Sequence, residues 1–222
     1  MIAKPAAVIF DMDGTLVATT EADFLAWQKL FSTYGRSLSF EEYFPLLGKK
    51  SSDVVHHILG LQGHEATGAM HKKMMFFEEI VKEKGIDMMP NAEQLLKALQ
   101  AEHIPIALAT SSRVMKMKLV MKTAELDKYF NAVVTGEEVT VGKPGPDIFL
   151  LAAKRLNVDP TQCVVIEDAA SGVAAAKAAG MKCVAVTNTH HERDLQQADL
   201  VVDDLSELSL SRISGLFAGQ KT

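Results

Sequence analysis

Four carboxylates, a lysine and a hydroxyl carry the chemistry that this sequence can offer. Asp11 and Asp13 leave the apolar run Ala6–Phe10 two residues apart on extended chain, and Gly14 permits a tight turn behind them. Glu167 and Asp168 leave a second apolar run, CVVI. Acids crowded at one edge repel unless they are neutralised. A hard divalent cation with oxygen ligands does that, and Mg²⁺ prefers a few carboxylates with water and phosphate. Lys143, in VGKPG, supplies a fixed cation for a phosphoryl group or for the carboxylate that attacks it. The Thr110 hydroxyl, in LATSSR, can donate to a phosphate oxygen. This set fits phosphoryl transfer, where positioning and charge stabilisation do most of the work. A lone Asp-x-Asp pair is usually a solvated turn; an apolar run before it and matching acids far along the chain argue for a site.

Strands must bring these residues together. Ala6–Phe10, Ile104–Thr110, Ala132–Thr135, Cys163–Ile166, Lys182–Val186 and Leu200–Val202 read as short buried strands. Helical periodicity lies between most of them: Met115–Ala124, Pro146–Leu156, and an alanine-rich Ser171–Ala179 stopped by Gly180. Strand alternating with helix predicts an α/β fold, a Rossmann-like parallel sheet with helices on both faces. Ligands then sit at the carboxyl ends of the strands, where the polar residues cluster.

Residues 17–87 break that rhythm and read as helices, which predicts a helical cap inserted into a core of residues 1–16 and 88–222. Ser39 and Glu42 form a capping box, and Ser51 or Ser52 can cap Asp53–Leu59. Met70, Met74, Phe77 and Val81 make a helical stripe expected to pack between cap helices.

A formal charge of −5 argues against nucleic acid and anionic membrane as partners, since either needs a basic face. The N-terminal apolar run is too short, and ends too soon in acids, for a signal peptide or a spanning helix. Cys163 and Cys183 sit in apolar runs outside any CxxC pair, so buried thiols are expected, with no zinc and no disulfide. The expectation is a cytoplasmic monomer whose partner is a small phosphorylated metabolite. No histidine stands at metal spacing from a carboxylate, and none is assigned a catalytic role. Gly136 and Gly142–Lys143 fail the P-loop pattern, with five intervening residues where four are needed and Pro144 after the lysine.

IFDMDGTL resembles the first motif of the haloacid-dehalogenase superfamily, LATSSR the second, Lys143 in VGKPGPDIF the third, and IEDAASGVAAAKAAGM the fourth. The overall pattern is most similar to the β-phosphoglucomutase-like phosphatases, with a helical cap after the first motif. The resemblance implies that Asp11 is the nucleophile and Asp13 the general acid and base. It implies Mg²⁺ held by Asp11, the Asp13 carbonyl and Asp168, with Glu167 as a ligand or as an outer acceptor. Thr110 and Lys143 would hold the phosphoryl group. An acid at position 13 disfavours the dehalogenase and phosphonatase branches.

Gly48, Lys49 and Lys50 resemble a cap specificity loop; a lysine there could bind a second anionic group or simply cover an exposed helix start. Ser111, Ser112 and Arg113 are further candidate phosphate contacts, beside a possible helix N-terminus. The mutases of the family carry a cap histidine and a loop arginine where this chain has Asp23 and Ser51, and Ala18 stands where the family often has aspartate. These departures favour hydrolysis. A non-catalytic binding module on this fold should have lost Asp11, Asp13, Lys143 or Asp168, and all four are present.

Overall fold

The computed structural model describes residues 4–46 and 51–218. Six short runs form one parallel sheet: β1 (Ala7–Phe10), β2 (Ile106–Thr110), β3 (Ala132–Thr135), β4 (Cys163–Glu167), β5 (Lys182–Val186) and β6 (Leu200–Val202). Their order is β3-β2-β1-β4-β5-β6, with Val8 opposite both Ile106 and Val164. β1, β2 and β4 are buried throughout, as continuous apolar runs in a doubly covered sheet require.

Alternate residues face opposite layers. Val8, Phe10, Ile106, Leu108, Val164 and Ile166 pack in one core, against helices α5 (Ala92–Ala101) and α6 (Val114–Thr123) and, near the C-terminus, α9 (Leu210–Gly215). Ala7, Ile9, Ala107, Ala109, Cys163 and Val165 pack in the other, against α7 (Asp147–Leu156) and α8 (Ala170–Ala178). The small side chains of this second face leave room for Phe149, which is fully buried. Both cysteines are free and buried.

Between β1 and α5 lie α1 (Thr20–Ser32), α2 (Phe40–Tyr43), α3 (Ser51–Leu59) and α4 (Gly63–Lys84). The capping box of Ser39 and Glu42 is formed. Ser51 and Ser52 are the first two residues of α3, one and two steps later than a capping role needs. Trp27, Leu30, Phe31, Tyr43, Val54 and Val55 give this layer a core of its own. The chain crosses to it and back side by side, with the Ala18 N–H donating to the Asp87 carbonyl at 2.9 Å and the Met89 N–H to that of Leu16 at 2.8 Å.

The stripe on α4 is divided, contrary to the expectation that it packs wholly between cap helices. Phe77 and Val81 are buried in the main core. Met70 and Met74 are half-buried and line the cleft described below. At 22 residues, roughly 33 Å, α4 is long enough to serve both cores.

Candidate active site

The strand order reverses between β1 and β4, the switch point at which ligand crevices open in such sheets. Asp11 sits just beyond β1, its N–H bonded to the Ile166 carbonyl at 3.0 Å. Glu167 ends β4 and Asp168 follows it. Lys143 reaches in from the loop before α7. Its Nζ lies 2.6 Å from Asp11 Oδ1, 2.6 Å from Glu167 Oε1 and 3.2 Å from the Ala109 carbonyl. Glu167 Oε2 accepts the N–H groups of Asp168 and Ala169, each at 2.8 Å. Thr15 and Thr189 donate to the two oxygens of Asp168, Thr15 at 2.7 Å.

Three carboxylates, if all ionised, would exceed one ammonium by two charges in a buried space. The protonation of the site reflects this. Burial pushes Asp11 up to about 7; Lys143 opposes the rise, and Glu167 and Asp13 add to it. Burial, then Glu167 and Asp11, raise Asp168 far above the usual carboxylate range. Burial alone would lower Lys143, but Asp11 and Glu167 outweigh it and hold the ammonium firmly charged.

This imbalance is one that a divalent cation would correct. Among the described residues no three His, Cys, Asp or Glu side chains converge as a metal cage. Lys143 and two N–H groups occupy Glu167, which leaves Asp11 and Asp168 as the freer acids. Two carboxylates with a backbone carbonyl, phosphate oxygens and water suit Mg²⁺, which seldom uses an all-protein cage.

Two glycines are needed here. Gly14 has φ +83°, and a Cβ on it would lie 2.4 Å from Asp168 Oδ2. A Cβ on Gly172, in α8, would lie 1.7 Å from Glu167 Oε1. In an open helix, alanine in place of glycine should stabilise by about 1 kcal/mol. At position 172 the sign reverses, because Glu167 must leave Lys143 and both N–H groups. Gly172→Ala should lose ~3 kcal/mol, the scale for disrupting a buried charged hydrogen-bond set. For a chain of this size that lowers Tm by roughly 6–12 °C. Differential scanning calorimetry checks this; an unchanged or raised Tm would mean that Glu167 is not held as described.

Asp13, two residues beyond Asp11, joins a second polar cluster. Its carboxylate accepts from Thr19 Oγ1 at 2.5 Å and Ser112 Oγ at 2.6 Å, and pairs with Lys116 Nζ at 2.8 Å. Lys116 also lies 3.1 Å from Asp23 Oδ1. Asp23 is paired with Lys73 of α4 and accepts from the Tyr43 hydroxyl at 3.1 Å. The Lys73 ammonium stands over the rings of Trp27 and Phe77, at 5.2 and 5.3 Å from their centres. Burial works to raise both acids, but Lys116 brings Asp13 below its ordinary value, and Lys116 with Lys73 takes Asp23 far below.

Asp11, Asp13, Thr110, Lys143, Glu167 and Asp168 line one cleft, and so do Ser111, Ser112 and Arg113. Thr110 is buried, its Oγ1 accepting the Ser112 N–H at 3.0 Å. Arg113 turns aside to Glu137, 2.6 Å away, and the same carboxylate accepts the Val114 N–H at 3.0 Å, so the start of α6 already holds an anion. Gly48, Lys49 and Lys50 lie outside the described residues. Sequence reading did not single out Thr15, Thr189, Lys73 or Lys116, and it weighed Asp23 only as a position where a mutase histidine was missing. It gave His190, one of an adjacent histidine pair, no role; the ring meets Thr189 Oγ1 at 2.9 Å and lies tilted against that of Phe44, with centroids 5.5 Å apart.

The chain belongs to the haloacid dehalogenase-like hydrolase family, whose model matches residues 8–186. Within that family it is an enzyme of the β-phosphoglucomutase-like group, among phosphatases and phosphomutases. It is 37% identical over 212 residues to beta-phosphoglucomutase of Bacillus subtilis, covering 92% of each protein. It is 34% identical over 188 residues to fructose-1-phosphate phosphatase YqaB of Escherichia coli, covering 84% of this chain and 98% of that one. A relative from Arabidopsis thaliana is much longer: the chain, 33% identical over 218 residues, spans 21% of it. A solved β-phosphoglucomutase from Clostridium difficile superposes with a TM-score of 0.87 at 27% identity, covering 96% of this chain and 97% of that one. Among the described residues no helix is long and apolar enough to cross a membrane.

Proposed function

We propose that this enzyme is a Mg²⁺-dependent phosphatase of a small sugar phosphate or similar ester, acting through an aspartyl-phosphate on Asp11. The observation that carries this reading is the Lys143-bridged pair of Asp11 and Glu167 beside Asp168, three acids to one ammonium, with Asp13 lining the same cleft. Residues 1–16 and 88–222 act as the catalytic core and 17–87 as the cap. The two free thiols suit the reducing cytoplasm, where we expect the enzyme to act as a monomer.

Asp11, the Asp13 carbonyl and Asp168 would hold Mg²⁺, which when bound supplies the charge that lets an anionic ester approach an anionic nucleophile. Lys143 orients Asp11 and meets the phosphoryl oxygens, with Thr110 donating beside it. Glu167 fits the outer role of the two open to it, since Lys143 and the backbone occupy its oxygens. The Asp11 carboxylate attacks phosphorus, the P–O bond to the leaving group breaks, and Asp13 gives that oxygen a proton. Asp13 then takes a proton from the water that attacks the aspartyl-phosphate, which releases phosphate and restores Asp11. Lys116 keeps Asp13 ionised in the present arrangement, which suits the second step; the first needs that pair loosened as substrate enters.

A phosphomutase is the second reading, favoured by the 37% identity to a beta-phosphoglucomutase. A mutase must keep water from the aspartyl-phosphate and hand it to a sugar hydroxyl. Asp23, at the position of the mutase histidine, is tied to two lysines and does not reproduce an imidazole. β-Glucose 1-phosphate, if turned over, should give mainly glucose and inorganic phosphate by phosphorus NMR. Predominant glucose 6-phosphate would replace the phosphatase reading with the mutase one.

A further inference from the structure

The cleft has two walls of different electrical character. The core wall holds the nucleophile, with its surplus of acids over the one ammonium. The opposite wall is apolar, with Trp27, Leu46, Val54, Met70 and Met74, and among the described residues its charges are paired with one another. Asp13, Asp23, Lys73 and Lys116 bring two negative and two positive charges, which sum to zero. Arg113, at the rim, is matched by Glu137. Among the described residues, therefore, every lysine and arginine lining the cleft already faces a carboxylate.

Asp23 decides that balance. It joins a core helix to two cap elements, taking Lys116 from α6, Lys73 from α4 and the Tyr43 hydroxyl from α2. Without its charge, Lys116 would face Asp13 alone, and Lys73, whose proton Asp23 supports against burial, would lose its carboxylate partner. With it, a second phosphate or carboxylate on the substrate meets an anion whose cations are already taken. Like charges brought together in a poorly solvated site reject a ligand more effectively than missing contacts do.

We propose that Asp23 is a specificity residue that neutralises Lys73 and Lys116 where cap and core meet, so that the ester accepted carries an uncharged organic moiety rather than a second phosphate or a carboxylate at that place. The inference rests on the phosphatase reading and narrows its substrate class to monophosphates of neutral, polyol-like or partly apolar bodies. The phosphoryl group would lie against Asp11 and Lys143, and the organic moiety against Trp27, Met70 and Met74.

The test compares substrates on one preparation of the full chain with Mg²⁺. An aryl phosphate reports the core chemistry. Hexose and hexitol monophosphates represent neutral bodies; a hexose bisphosphate and phosphoglycolate carry a second anion. The wild type should favour the neutral group in kcat/KM by about tenfold or more, and Asp23→Asn should shift the ratio towards the second-anion group by about tenfold, the scale of one poorly screened charge. A ratio measured on one preparation is unaffected by loss of folded enzyme. Adding Lys73→Met to Asp23→Asn should return the ratio towards the wild type, and Lys73→Met alone should lower the second-anion share further. An unchanged ratio in Asp23→Asn and Lys73→Met overturns the proposal. So does a wild type that cleaves aryl phosphate but prefers the bisphosphate, or accepts no hexose or hexitol monophosphate. A wild type inactive even on aryl phosphate defeats the phosphatase reading itself, and with it this inference.

Discussion

Asp11→Asn should fold and lose turnover by about 10³-fold or more, the scale seen when an essential catalytic group is removed. Asparagine keeps the shape but not the charge, and cannot form the acyl phosphate. The effect on stability should be small because two terms oppose. The substitution weakens the Lys143 hydrogen bond, a loss of about 1.5–3 kcal/mol for a charged pair. It also relieves repulsion by Glu167 and Asp13, which helps to hold Asp11 near pH 7. A Tm within roughly 5 °C of the wild type, with turnover of an aryl phosphate nearly gone, separates chemistry from folding. Near-normal turnover in the folded variant would remove the covalent mechanism.

Chelation should be as severe. EDTA is expected to abolish phosphate release, and Mg²⁺ to restore it. Binding should also stabilise the fold: at a concentration a hundred times Kd the gain is about 2.7 kcal/mol, or roughly 5–10 °C in Tm for this length. The pH dependence has a definite sign. With Asp11 raised to about 7 from 3.8, the metal-free native state holds a proton that the unfolded chain lacks between those values. Its stability therefore falls as pH rises through that window. A cation takes the place of the proton, so the Mg²⁺-induced rise in Tm should be larger at pH 8 than at pH 5. Full activity in exhaustively chelated enzyme would contradict the magnesium assignment.

The sheet was legible in the sequence because its signal is local. All six strand runs correspond to strands within two residues at each end, since a doubly covered strand must be apolar along its length. The core residues of the site were legible for a related reason: polar residues that interrupt such runs at their carboxyl ends have one place to go. The second wall was not. Lys73 is 50 residues from Asp23, and Lys116 is 93, so no spacing announces the cluster. Two faint traces existed. Lys73 lies on the same helical face as Met70 and Phe77, and Asp23 on that of Trp27 and Leu30, where an unmatched charge would be costly. Arg113 shows the converse difficulty, since an exposed arginine beside a phosphate motif gives no hint that Glu137 holds it.

The long helix α4 constrains how specificity in such a chain can be altered. Its first half packs under Trp27 and Val54, and its second half brings Phe77, Ile80 and Val81 into the layer beneath β1 and β2. A cap transplanted from a relative would carry foreign side chains into that layer, where packing tolerates little change in volume. New selectivity is therefore more accessible through single replacements on the cleft wall than through exchange of whole caps, and the helix that carries Lys73 is also the one that makes the two layers inseparable.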